Sequence, residues 1–152
     1  MTIQQIMAAT PTFCTVNDLT TDAALRMKTA DVGFLPVVHD VESRTLAGVI
    51  TDRDLCVRAY PPTKDGRPMA VKDCMTTHPI ACKPTDDVET ALNLMDSHLI
   101  RRLPVVDSQT NRLLGVITLG DIARSSIVGA DDISRVFVEI SRPSAAERHI
   151  AA

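Results

Sequence analysis

Hydrophobic and polar positions along this chain fall into one succession of rhythms that occurs twice. Residues 34–38 and 103–106 are continuous apolar runs of strand length. Polar turns at 40–45 and 107–112 lead into further apolar runs at 46–51 and 113–118. Each of these passes directly into a helix, 52 to about 59 and about 120 to 126. Ahead of them, Val88, Ala91, Leu92, Met95 and Leu99 recur at helical spacing, and Ala23, Ala24, Met27 and Ala30 form a weaker version of the same stripe. Asn17-Asp18 and Thr85-Asp86-Asp87 supply N-caps for these two helices. Further upstream, Pro11 and Pro79 end short helical pieces at 3–7 and 71–75, and 13–16 and 80–82 read as short strands. Because a proline cannot donate to a ladder, Pro36 and Pro104 are expected at a strand start or on a sheet edge.

The repetition extends to residue identity. Leu35-Pro36-Val37-Val38 and Gly48-Val49-Ile50-Thr51-x-x-Asp54 return as Leu103-Pro104-Val105-Val106 and Gly115-Val116-Ile117-Thr118-x-x-Asp121, with the intervening turn one residue shorter. Met7, Pro11, Asp18, Ala23 and Met27 likewise fall on Met75, Pro79, Asp86, Ala91 and Met95. An internal duplication therefore covers most of the chain. The reading is α+β, with helix, strand, helix, strand, strand, helix in each copy. Repeat one spans 1–60, a Pro-rich linker 61–68, repeat two 69–128, and a C-terminal helix with a loose tail 129–152. Within the last segment Ile133, Val136, Phe137 and Ile140 share one face of a helix at 131–140, which should dock on the module or its partner. Leu55, Val57, Ile122 and Ile127 are more apolar surface than one small sheet covers, which suits a dimer or larger assembly.

Composition narrows the function classes. The 152 residues carry a formal charge of -3, with no Trp and one Tyr, which argues against a nucleic-acid surface. The apolar runs are too short for a membrane span, and the N-terminus lacks the basic-then-apolar order of a secretory signal. Cys14, Cys56, Cys74 and Cys82 form no CxxC pair and suit a reduced, cytoplasmic compartment. Cys74-x3-His78-x3-Cys82 has the soft ligands of a zinc site, but Pro79 breaks a helix that would align them, and small core residues are the alternative. His39, His98 and His149 read as surface or packing residues. No Ser/His/Asp set, phosphate-binding P-loop or acid–base carboxylate pair emerges, so the chain is not expected to be an enzyme.

A duplicated unit with a Leu-Pro-Val-Val strand and a Gly-Val-Ile-Thr-x-x-Asp strand-to-helix turn resembles a tandem pair of cystathionine-β-synthase (CBS) domains, the Bateman module of small stand-alone bacterial proteins. That resemblance implies two repeats packed sheet to sheet about a pseudo-twofold axis, commonly paired again into a homodimer. It also implies clefts for an adenosine compound such as AMP, ADP, ATP or S-adenosylmethionine, with no required cofactor. Output would act in trans on an unknown protein effector. The Thr51/Asp54 and Thr118/Asp121 pairs would meet ribose and phosphate, since a carboxylate can accept from both ribose hydroxyls and a helix start favours anions. Thr-x-x-Asp is also close to a capping box that needs no ligand. In the second copy, Thr77, His78, Pro79 and Ile80 match one cleft wall, Ile100, Arg101 and Arg102 the base pocket and phosphate side, with Pro104 on the adjoining strand. The first copy offers Thr12, Val32, Gly33, Phe34 and Pro36, with Arg53 in its turn. Arg101 and Arg102 would make the second cleft the better anion site. A ligand-free interaction and dimerisation module, or less readily a metal or thiol sensor, remain the alternatives.

Overall fold

Each apolar run becomes a strand and each stripe a helix, in the expected order. The computed structural model describes residues 1–59 and 65–142. The linker positions 61–64 and the tail from 143 onward lie outside the described residues. In the first copy β1 (Cys14–Thr15), α1 (Thr20–Ala30), β2 (Phe34–Val38), β3 (Leu46–Thr51) and α2 (Asp52–Val57) follow one another. The second copy contributes β4 (Thr76–Thr77), α3 (Val88–His98), β5 (Arg102–Val106), β6 (Leu113–Thr118) and α4 (Leu119–Ser125), and α5 (Ala130–Ile140) comes last. Single 3-10 turns at Ile3–Gln5 and Val71–Asp73 stand where the short leading helices were expected. The hairpins β2–β3 and β5–β6 have the same register, Leu35 opposite Ile50 and Leu103 opposite Ile117, and both shift at their last valine.

Four local expectations need correction. Leu99 is 59% exposed and forms the C-cap of α3 at φ 54°, its amide closing onto Met95 and Asp96, so its side chain leaves the apolar stripe. In α1 only Ala23 and Met27 of the four expected positions are buried, and Ala24 and Ala30 face solvent. The expected strand at 80–82 is reduced to one parallel bridge, Cys82 to Val105. Pro36 lies in the middle of β2, between β1 and β3, and is neither a strand start nor an edge position. It is tolerated because β1 pairs only from Val37 onward, so the missing N–H faces no acceptor. At the matching Pro104 the carbonyl still accepts from the Cys82 amide at 3.0 Å.

The two repeats are tied together by exchange of their leading segments. Thr76–Thr77, in the leading segment of repeat two, pairs with Gly48 and Val49 in β3 of repeat one. Reciprocally, Ala8 pairs with Val116 in β6, through hydrogen bonds of 2.9 and 3.1 Å. Buried Ile3 packs in the core of repeat two with Met95, Leu103 and Ile117, and Val71 packs in that of repeat one with Met27, Leu35 and Ile50. Boundaries along the chain and cores in space therefore do not coincide. The exchange explains both motif glycines. A Cβ at Gly48 would lie 2.6 Å from the Thr76 carbonyl oxygen, and one at Gly115 would lie 2.8 Å from that of Ala8.

A second tie runs through the hairpin turns. Leu46 donates its amide to the Asn111 carbonyl at 3.0 Å, and Leu113 donates to that of Arg44 at 2.9 Å. Val38, Leu46, Val106 and Leu113 form a shared cluster beneath them, with Phe13 and Ala81 against it. Helix α5 docks on repeat two as its pattern predicted. Val136 is buried in that core, Ile133 and Ile140 are half-buried, and Arg135 reaches Asp96 of α3 at 3.7 Å. Phe137, the fourth residue of the expected face, is half exposed, with the Arg101 guanidinium 5.6 Å above its ring.

Candidate functional site

The two strand-to-helix turns are built alike. At the first, the Thr51 amide and hydroxyl both donate to Asp54 Oδ2, at 2.9 and 2.8 Å, while the Asp54 amide donates to Thr51 Oγ1 at 3.1 Å. At the second, the same three bonds join Thr118 and Asp121 at 2.9, 2.7 and 3.1 Å. Each turn is thus a closed capping box. The other carboxylate oxygen is also engaged, by Arg58 at 3.5 Å in the first turn and by Arg124 in the second. Neither aspartate is among the residues lining the two clefts between the repeats, whereas Thr51 and Thr118 are.

Two clefts lie where the repeats meet. One, of about 620 Å³, faces the first copy's turn, Thr51, Asp52 and Arg53, toward the second copy's wall, His78, Pro79, Ile80, Ile100, Arg101, Arg102 and Pro104. Phe34, Val49, Thr76, His98, Leu99 and Ile140 complete it. The other, of about 1050 Å³, joins Asp31, Val32 and Gly33 of the first copy to Arg101, Arg102, Thr118, Leu119 and Gly120 of the second. Its far side is α5 and the segment before it, from Val128 to Phe137. A cleft is therefore made from the turn of one repeat and the wall of the other, and Arg101 and Arg102 border both.

The smaller cleft thus holds His78, Pro79, Ile80, Ile100, Arg101, Arg102, Pro104, Phe34, Thr51 and Arg53. Val32, Gly33 and Thr118 belong to the larger one, together with Arg101 and Arg102. Thr12 and Pro36 border neither, and Thr77 lies on a separate depression with His39 and Met75. Asp52, Thr76, His98 and Ile140 escaped the sequence reading. For Asp52 a usable signal existed: it aligns with Leu119 and faces Gly33, where a Cβ would lie 2.5 Å from its Oδ2. His78 stands at φ 52°, turning the chain from β4 toward the wall of the smaller cleft.

The Cys74, His78 and Cys82 set does not converge. Cys74 is in the core of repeat one and Cys82 in that of repeat two, and no group of three metal-ligating side chains comes together among the described residues. Burial pushes the Cys14 thiol up to about 11 and that of Cys82 to about 12, and raises Cys74 as well. Of the residues expected to drive dimerisation, Ile122 is fully buried and Leu55 packs against the first core, while Val57 and Ile127 are exposed. No helix among the described residues is long and apolar enough to cross a membrane.

Residues 3–59 and 71–128 each match the CBS domain model, and the chain belongs to that family. Bacillus subtilis YlbB, described as uncharacterized, is 40% identical over 123 residues, covering 81% of this chain and 80% of its own length. The crystal structure of hypoxic response protein I with two coordinated zinc ions superposes at a TM-score of 0.71 and 29% identity, covering 82% of this chain and 98% of that one. CBSX2, crystallised in complex with AMP, gives 0.72 and 26% identity, covering 83% and 96%.

Proposed function

We propose that the chain is a ligand-sensing regulatory module, not an enzyme, acting in the cytoplasm. It binds an adenine nucleotide or related adenosyl compound between its repeats and signals to another protein in trans. The observation that carries this reading is the smaller cleft. Its lining includes apolar Phe34, Val49, Pro79, Ile80, Ile100 and Pro104, as a base requires, and Thr51, His78 and three arginines that supply polar groups. Its 620 Å³ is within the range of small-molecule sites. The AMP complex of CBSX2 supports the ligand class. The homodimer is proposed on the family pattern and on exposed Val57 and Ile127.

Signalling would follow differential affinity. The cleft spans both repeats, so a ligand stabilises whichever relative arrangement lets turn and wall close on it. Calorimetry and thermal melts with AMP, ADP, ATP and S-adenosylmethionine test the reading. A ligand at about 100 times its dissociation constant should stabilise the fold by roughly 2.7 kcal/mol. No response to any of the four at millimolar concentration would leave the ligand-free interaction module. That second reading draws on a specific observation: both motif aspartates are already engaged by their own turns and arginines.

A further inference from the structure

The arginines of this protein are not evenly compensated. Arg26, Arg58, Arg124, Arg135 and Arg142 pair with carboxylates, and Arg112 donates to the Glu42 and Ser43 carbonyls at 2.8 Å. Arg53, Arg101 and Arg102 have no carboxylate or carbonyl partner for their guanidinium groups among the described residues, and Arg101 lies over the Phe137 ring as Arg44, outside the cleft, lies over that of Phe13. All three border the smaller cleft. One carboxylate lines it with them, Asp52, which accepts from the Arg53 amide at 2.8 Å and does not form an ion pair with any of the three. Two chain segments, the start of α2 and the start of β5 with the residue before it, bring this charge together, which the local spacing of the arginines does not reveal.

Resting on the adenosyl-binding reading, the geometry points to a narrower ligand class: a nucleoside polyphosphate, di- or triphosphate, in preference to the monophosphate. A guanidinium takes up two phosphate oxygens in its fork, and a single phosphoryl group with a charge of about -2 cannot by itself neutralise three such cations. Two or three linked phosphoryl groups can, and their charge matches the unpaired cations lining the cleft. The same surplus disfavours S-adenosylmethionine, whose sulfonium would meet like charge. Because all three arginines are solvent-exposed, the preference must weaken with salt.

The test is competition calorimetry on the full chain, without divalent cations, using ATP, ADP, AMP, adenosine and S-adenosylmethionine. ATP or ADP should bind about tenfold or more tighter than AMP, as expected for one further charge-assisted contact. That advantage should shrink as ionic strength rises from about 0.05 M to about 0.5 M. In Arg53→Ala/Arg102→Ala, the ratio of ATP to adenosine affinity should collapse toward that of AMP to adenosine. Both substitutions are on exposed side chains, and far-UV circular dichroism verifies the fold. AMP binding as tightly as ATP, S-adenosylmethionine binding tightest, or a ratio untouched by the double substitution overturns the polyphosphate preference and leaves the adenosyl reading standing. Silence from all five ligands overturns both.

Discussion

Replacing Asp54 or Asp121 by alanine separates a structural turn from a ligand hook. The Asp54 side chain is 13% exposed, and its Oδ2 takes two hydrogen bonds from Thr51, at 2.9 and 2.8 Å. Alanine leaves the Thr51 amide without its acceptor and opens the capping box, a loss of about 0.5–2 kcal/mol. The Arg58 contact adds little, because at 3.5 Å it joins a guanidinium that is half exposed, and such pairs contribute about 0–1 kcal/mol. A total near 1–2 kcal/mol corresponds to a melting-point drop of roughly 2–8 °C for a chain of this size. Asp121→Ala should match it, since the second turn repeats the geometry. Urea and thermal unfolding followed by far-UV circular dichroism, without ligand, measure both; the chain has no Trp to report by fluorescence. A cycle with Thr51→Ala should show strong coupling, because the Thr51 hydroxyl and Asp54 bond each other twice. An unchanged melting point in Asp54→Ala, with adenosyl affinity reduced about tenfold, would refute this reasoning and return the carboxylate to the ligand.

Gly115→Ala and Gly48→Ala should each destabilise the fold by about 1–3 kcal/mol in urea titrations, since the new methyl meets the backbone carbonyl of the exchanged segment; a neutral effect at both would contradict that close approach. Val136→Ala should cost about 1.5–2.5 kcal/mol by removing methyl groups from the core of repeat two, while Phe137→Ala at a half-exposed site should cost clearly less; equal losses in thermal melts would argue against this seating of α5. A thiol-specific chromophoric reagent at pH 8 should label exposed Cys56 quickly and the other three only after unfolding. A thiol held at about 11, as Cys14 is, leaves roughly 0.1% thiolate at that pH, and fast labelling of a second cysteine would refute the burial.

Whatever depends on neighbours within a few residues was legible in the amino-acid order. The duplicated text located both hairpins, and the stripe of Val88, Ala91, Leu92 and Met95 marked α3 and its buried face. Thr-x-x-Asp described a capping box as well as it described a ligand hook, and the turns form the box. Ile133, Val136 and Ile140 announced a docked helix. These are short-range signals: periodicity aligns side chains on one face, and a cap needs only a side chain three residues from an orphan amide. Which sheet edge a leading segment joins was settled only in three dimensions. Each repeat offers an open edge, and Ala8 and Thr76–Thr77 fill the edge belonging to the other copy, where Gly115 and Gly48 leave room for their backbones. Pro36 is tolerated in an inner strand because β1 is short, a property of its partner and not of β2. That pairing of unlike segments also sets the turn of one repeat against the wall of the other. It is why Arg53 shares a cleft with Arg101 and Arg102, although nearly fifty residues of chain separate them.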